Sequence, residues 1–108
     1  MGLIKKPVEE EMIVGVWKVE LHMPYAQNLK EKRSILQSIL IKSRNRFNVS
    51  IAELDFHDKW QRSVMGVAYV NSDAKKAEDV FTSIRDIFEE TGDVIIIREE
   101  ISFYSLER

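Results

Sequence analysis

The chain has 108 residues, 44% of them apolar and 31% charged, with a formal net charge of −2. That length suits one domain able to bury its own core, and the balance excludes disordered and membrane-spanning compositions. With no cysteine, disulfide scaffolds, thiolate metal sites and cysteine nucleophiles are excluded, and a cytoplasmic protein is expected.

Residues 1–11 carry Lys5, Lys6 and the run Glu9-Glu10-Glu11 and read as a charged arm, without the apolar run of a signal peptide or membrane helix. Residues 12–108 are expected to form a single domain. Met12–Met23 is rich in Val, Ile and Trp and reads as a strand ended by Pro24. Asn28 followed by Glu31 has the form of a capping box, so a helix should begin near Leu29. Leu29, Leu36, Leu40 and Phe47, flanked by Ile35, Ile39 and Ser43, form its apolar stripe. Lys42, Arg44 and Arg46 crowd its last turns, where positive charge suits the helix dipole.

A second strand is expected over Asn48–Asp55, a polar connection over Phe56–Gln61 and a third strand over Arg62–Asn71. Ser72 or Asp73 caps a second helix reaching about Glu90, with Ala77, Val80, Phe81, Ile84, Ile87 and Phe88 as its buried stripe and Thr91-Gly92 as its stop. Asp93–Leu106 is the last strand, with a bend expected near Arg98-Glu99-Glu100. The order strand, helix, strand, strand, helix, strand predicts an α+β, ferredoxin-like βαββαβ fold, an antiparallel four-stranded sheet with both helices on one face.

On the first strand the even positions Val14, Val16, Lys18, Glu20 and His22 are expected on the open face and the more apolar odd set against the helices. On the last strand Val94, Ile96, Arg98, Glu100 and Tyr104 contrast with the more apolar Ile95, Ile97, Ile101 and Phe103. An open face mixing aliphatic and charged residues suits a homodimer built by stacking sheets. The third strand offers only Tyr69 for stacking bases, which argues against an RNA-recognition-motif surface.

Charge is uneven along the chain. Residues 25–62 hold eight Lys/Arg against four Asp/Glu, and residues 63–108 hold five against ten. Lys30, Lys32, Arg33, Lys42, Arg44 and Arg46, with Lys59 and Arg62, form the candidate phosphate-contacting set; a solvated helix face accounts for the same charges. Glu53, Asp55 and His57 project to one side of an extended strand and have the spacing of a hard-cation site, but alternating acids at a strand end are common and a solvated role is favoured. Trp17 and Trp60 read as core or interface anchors. The serines have no histidine partner in a nucleophile motif and no glycine-rich phosphate loop occurs, so no enzyme signature, cofactor or metal is expected.

The segments Asn28-Leu29-Lys30-Glu31-Lys32-Arg33, Arg46-Phe47-Asn48-Val49-Ser50-Ile51-Ala52-Glu53 and Asp58-Lys59-Trp60-Gln61-Arg62 together resemble the YlxP-like family of small bacterial proteins of unknown function, over essentially everything from Met12 onward. The resemblance implies the same fold, no inherited catalytic residue, and a genomic association with transcription and translation factor genes that points to RNA or the ribosome. Among the matching positions, Leu29, Phe47, Val49 and Trp60 are explained by packing. Lys30, Lys32, Arg33, Glu53, Gln61 and Arg62 are the places to look for function, with Glu53 and Arg62 able to pair across the hairpin.

Two functions follow as expectations. One is a non-enzymatic protein binding RNA or a ribosomal particle through Lys30, Lys32, Arg33, Arg44, Arg46 and Arg62. The other is a homo-oligomeric module that binds a protein or small ligand on the open sheet face or through an edge strand, with its footprint on the last strand.

Overall fold

A computed structural model describes residues 11–106. Six elements follow in the expected order: β1 (Met12–His22), α1 (Leu29–Arg46), β2 (Ser50–Asp55), β3 (Arg62–Asn71), α2 (Ala74–Glu90) and β4 (Ile95–Leu106). Every neighbouring pair of strands is antiparallel and the sheet order is β2-β3-β1-β4, the ferredoxin-like arrangement. Of the expected arm only Glu11 falls within the described residues, where it accepts a hydrogen bond from the Ser105 hydroxyl at 3.0 Å. No helix among the described residues is long and apolar enough to cross a membrane.

The helices begin where their caps dictate. Asn28 Oδ1 accepts from the Glu31 amide at 2.8 Å, and the Glu31 carboxylate reaches back to the Gln27 amide at 2.9 Å. Asp73 caps α2 through the Lys75 amide, and Gly92, at φ 73°, allows the left-handed turn that leaves it. On α2 the buried residues are Ala77, Val80, Phe81, Ile84, Ile87 and Phe88, the six of the expected stripe.

On α1 the buried set is Lys32, Leu36, Ile39 and Ser43. Leu40 and Ile35 sit beside it, half-buried. The seam therefore passes through a lysine at its N-terminal end.

The odd positions Trp17, Val19 and Leu21 of β1 are buried beneath the helices, opposite Val67, Met65 and Ser63 of β3. Trp17 stacks on Phe88 at a centroid distance of 5.5 Å and tilts against Phe81 at 5.8 Å. Gly15 is required by close approach: a Cβ there would lie 3.1 Å from Ala77 and Phe81 and 3.2 Å from Phe103.

On β4 the expected alternation fails. The register slips where Glu20 pairs with Arg98 but Leu21 pairs with Ile96, so Ile97 is an extra residue. The interruption thus falls just before Arg98 and turns Ile96 to the helix side, where it packs on the core.

Glu99 ties β4 to the rest. Its carboxylate accepts from the Trp17 indole N–H at 2.9 Å and pairs with Arg85 of α2. The Arg85 guanidinium, with help from the indole and against partial burial, holds the Glu99 carboxyl below the usual carboxylate range. A depressed folded-state value means that this contribution to stability is whole above the ordinary glutamate value of about 4.3 and is lost as pH falls through the folded one. In urea unfolding, the stability gap between wild type and Glu99→Gln should therefore narrow from pH 6 to pH 3. A gap that stays constant would contradict this assignment.

Candidate functional site

The loop end of the sheet, where β1 runs into α1 and β2 turns into β3, is organised by one buried ammonium group. Lys32 lies on the inward phase of α1 and is 1% exposed. Its Nζ sits 2.8 Å from Glu53 Oε2 of β2 and donates to the carbonyls of Phe56 and Lys59 in the β2–β3 loop. The ammonium thus has two carbonyl acceptors and one counter-ion, three partners for its three N–H groups. Glu53 is further held by the buried Ser63 hydroxyl of β3 at 2.7 Å.

The loop pays for this geometry with one strained residue. Phe56 has φ 63°, a left-handed conformation unfavourable for a bulky side chain and costing about 1–3 kcal/mol. In that conformation its carbonyl accepts from both Lys32 Nζ and the Lys59 amide, and its ring lies under the Arg62 guanidinium at 4.1 Å. Gln61 closes the other side. Its side-chain amide donates to the carbonyls of Pro24 and Ala26 at 3.3 and 3.0 Å, while its own carbonyl accepts from the Met23 amide at 2.9 Å. The His22 ring contacts that carbonyl at 3.1 Å; a carbonyl only accepts, so Nδ1 carries the proton.

The loops before and after this lattice are thus fixed to each other, and they display two aromatic rings to solvent. Trp60 is 48% exposed and Tyr25 72%. Trp60 borders a cleft of about 470 Å³ with His22, Asp58, Lys59, Gln61 and Arg62. Lys30 and Arg33, on the first turns of α1, are exposed at the same end.

This arrangement corrects several sequence expectations. Lys32 is not available to a phosphate, because it is enclosed and its donors are used. Glu53 pairs with Lys32 rather than with Arg62, and Arg62 pairs with Glu20 of β1. Trp60 is not a core residue.

The expected basic set is also split. Lys30, Arg33 and Arg62 lie at the loop end, whereas Arg44 and Arg46 lie at the far end of α1, about 20 Å away at 1.5 Å per residue. There Arg44 donates to the Ile51 carbonyl at 2.9 Å and Arg46 lies 5.7 Å from the Phe47 ring.

Glu53 and Asp55 do not share a side. The register shift between them places Glu53 opposite Met65 and Asp55 opposite Val64, residues of opposite sheet faces. Asp55 accepts from the Phe56 amide and the His57 ring lies 3.3 Å from the Glu53 carbonyl. Among the described residues no group of three His, Asp or Glu side chains could hold a metal ion.

The missed signal was the phase of α1. Positions 32, 36, 39 and 43 recur at helical spacing, so the lysine's burial follows from the same rule that buries Leu36.

A family described as protein of unknown function (DUF503) matches residues 14–101. The uncharacterized protein YlxP of Bacillus subtilis (strain 168) is 41% identical over 66 residues, 61% of this chain and 72% of that protein. Among solved structures, a de novo designed protein with ferredoxin fold superposes with a TM-score of 0.55 at 16% identity, covering 82% of this chain and 83% of the other. A C-terminal segment of the alpha subunit of aIF2 from Pyrococcus abyssi gives a TM-score of 0.47 at 19% identity, over 83% of this chain and 49% of that one.

Removing the ammonium takes the counter-ion from the half-buried Glu53 carboxylate, the second donor from the Phe56 carbonyl and the side-chain donor from the Lys59 carbonyl. Lys32→Met should cost about 3–5 kcal/mol in urea unfolding, the range for breaking a buried ion pair. Lys30→Met and Arg33→Met should stay within about 0.5 kcal/mol of wild type, as exposed substitutions do. Equal effects at the three positions would show that Lys32 is not the brace.

Proposed function

The chain belongs to the DUF503 family, whose description assigns no function, and from its geometry we propose a non-enzymatic protein that binds single-stranded RNA at the loop end of the sheet. The observation that carries this reading is Trp60, a large aromatic held half in solvent on a loop braced from inside by Lys32. Bases stack on such rings with little sequence preference, each contact worth about 1–3 kcal/mol. A braced loop spends little of that on ordering itself.

Tyr25 supplies a second ring. Lys30, Arg33, Lys59 and Arg62 supply cations for the phosphates between stacked bases, whether the strand is free or exposed on a ribosomal particle. The role of Lys32, Glu53 and Gln61 is then to position the loops rather than to touch RNA.

A second reading, a protein- or ligand-binding surface on the open sheet face, draws on a shallow groove of about 500 Å³ lined by Val16, Ala52, Leu54, Gly66, Ala68 and Tyr104 among others. The two readings place the partner on different residues.

Trp17 is buried, so quenching of tryptophan fluorescence by an added oligonucleotide reports on Trp60. Titration with a ten-nucleotide single-stranded RNA at low salt should quench that signal, with affinity falling as salt rises at a logarithmic slope of about −2 to −3 for three to four phosphate contacts. Trp60→Ala should weaken binding about 10-fold or more by anisotropy of labelled RNA. Unchanged affinity in Trp60→Ala, or no binding at low salt, would overturn the RNA reading; protection of Leu54 and Tyr104 by a captured partner would favour the open face.

A further inference from the structure

The two edges of the sheet are built differently. β2 is six residues long, carries Glu53 and Asp55, and has its ladder interrupted between them, the devices that keep a free edge from pairing. β4 is twelve residues long, and among the described residues it pairs only with β1. Its charges are confined to Arg98, Glu99 and Glu100.

From Ile101 onward β4 carries apolar side chains on both faces. Ile101 and Phe103 lie opposite Trp17 and Gly15 on the helix side, and Tyr104 and Leu106 lie opposite Val14 and Met12 on the open side. Ile101 is 41% and Phe103 38% exposed, because α2 packs over β1 and β3 and leaves the outer rim of these side chains uncovered. Apolar residues on both faces are the pattern of an interior strand, not of an edge.

We infer that β4 pairs antiparallel with β4 of a second copy, about a two-fold axis at Ser102, to make a continuous eight-stranded sheet. A two-fold axis perpendicular to the sheet makes the contact self-complementary, each residue meeting its counterpart reflected through the axis. With Ser102 on the axis, Ile101 meets Phe103 of the second copy and Phe103 meets its Ile101. These are the β-branched and aromatic cross-strand pairs that favour association.

Glu100 then faces a tyrosine hydroxyl, that of Tyr104, and Glu99 faces Ser105. Moving the axis to Glu100 would set that carboxylate against itself; moving it to Ile101 would set Glu99 against Phe103. The pairing spans Arg98–Leu106, roughly 30 Å of ladder at about 3.4 Å per residue. It takes in nine of the twelve residues of β4, opposite Met12–Glu20 of β1, and leaves Trp60 free on both copies, since that residue lies on the β2–β3 loop toward the other edge of the sheet.

The absence of cysteine from the chain makes the register directly testable. Wild type should sediment as a dimer at about 100 µM, and Ile101→Lys should sediment as a monomer with an unchanged circular dichroism spectrum. Under mild oxidation Ser102→Cys should form a disulfide-linked dimer, since cross-strand Cα separations of about 4.5–5.5 Å fall within disulfide range. Ala52→Cys, on the open face of β2, should not. A monomeric wild type would overturn the inference, as would a dimer that survives Ile101→Lys or one that cross-links through Ala52→Cys but not Ser102→Cys, the result expected for sheets stacked face to face.

Discussion

The loop end of this protein depends on a buried cation. An ammonium taken out of water costs several kcal/mol unless it finds partners, and Lys32 finds a counter-ion on β2 and two carbonyl acceptors in the following loop. Because one of those carbonyls belongs to Phe56, the same contact holds a left-handed residue in place. Gln61 then fastens this loop to the one that enters α1. Helix, strand and two loops are joined through polar groups whose partners are specific in direction, whereas the apolar contacts of Trp17 and Phe88 below them constrain position but not orientation.

Such a lattice has a functional consequence on its surface. Trp60 follows directly on Lys59, whose carbonyl is bound by Lys32, and precedes Gln61, whose amide is bound to the neighbouring loop. The half-exposed ring is therefore carried between two anchored residues. The cations around it are modest in number, and Arg62 is shared with Glu20, so the aromatic ring rather than charge is the distinguishing feature of this end. Charge alone pointed instead to the whole of α1, whose two ends the fold separates.

What could be read from the sequence was whatever rests on periodicity or on local capping. The α2 stripe and the inward odd positions of β1 each follow from a 3.6- or 2-residue repeat that the fold leaves undisturbed, and the Asn28 and Asp73 caps follow from short side chains that accept from the first free helix amides. Periodicity also contained the burial of Lys32, but residue type masked it, since a lysine among Lys30 and Arg33 reads as surface. Partner choice was not legible. Whether Glu53 meets Lys32 or Arg62 depends on which strand face α1 covers, and the register shift between Glu53 and Asp55 separates two acids that simple alternation puts together. One extra residue at Ile97 likewise reverses the faces of the first part of β4.

The most direct test of the central claim is hydrogen exchange of two backbone amides, Lys59 N–H bonded to the Phe56 carbonyl and Met23 N–H bonded to the Gln61 carbonyl, compared between wild type and Lys32→Met. If Lys32 is the brace, both amides lose protection in the variant by more than the uniform fall that lower global stability brings, while core amides of β3 such as Val67 show only that fall. If the two amides keep pace with Val67, the loops hold themselves without the buried ammonium and the account is wrong.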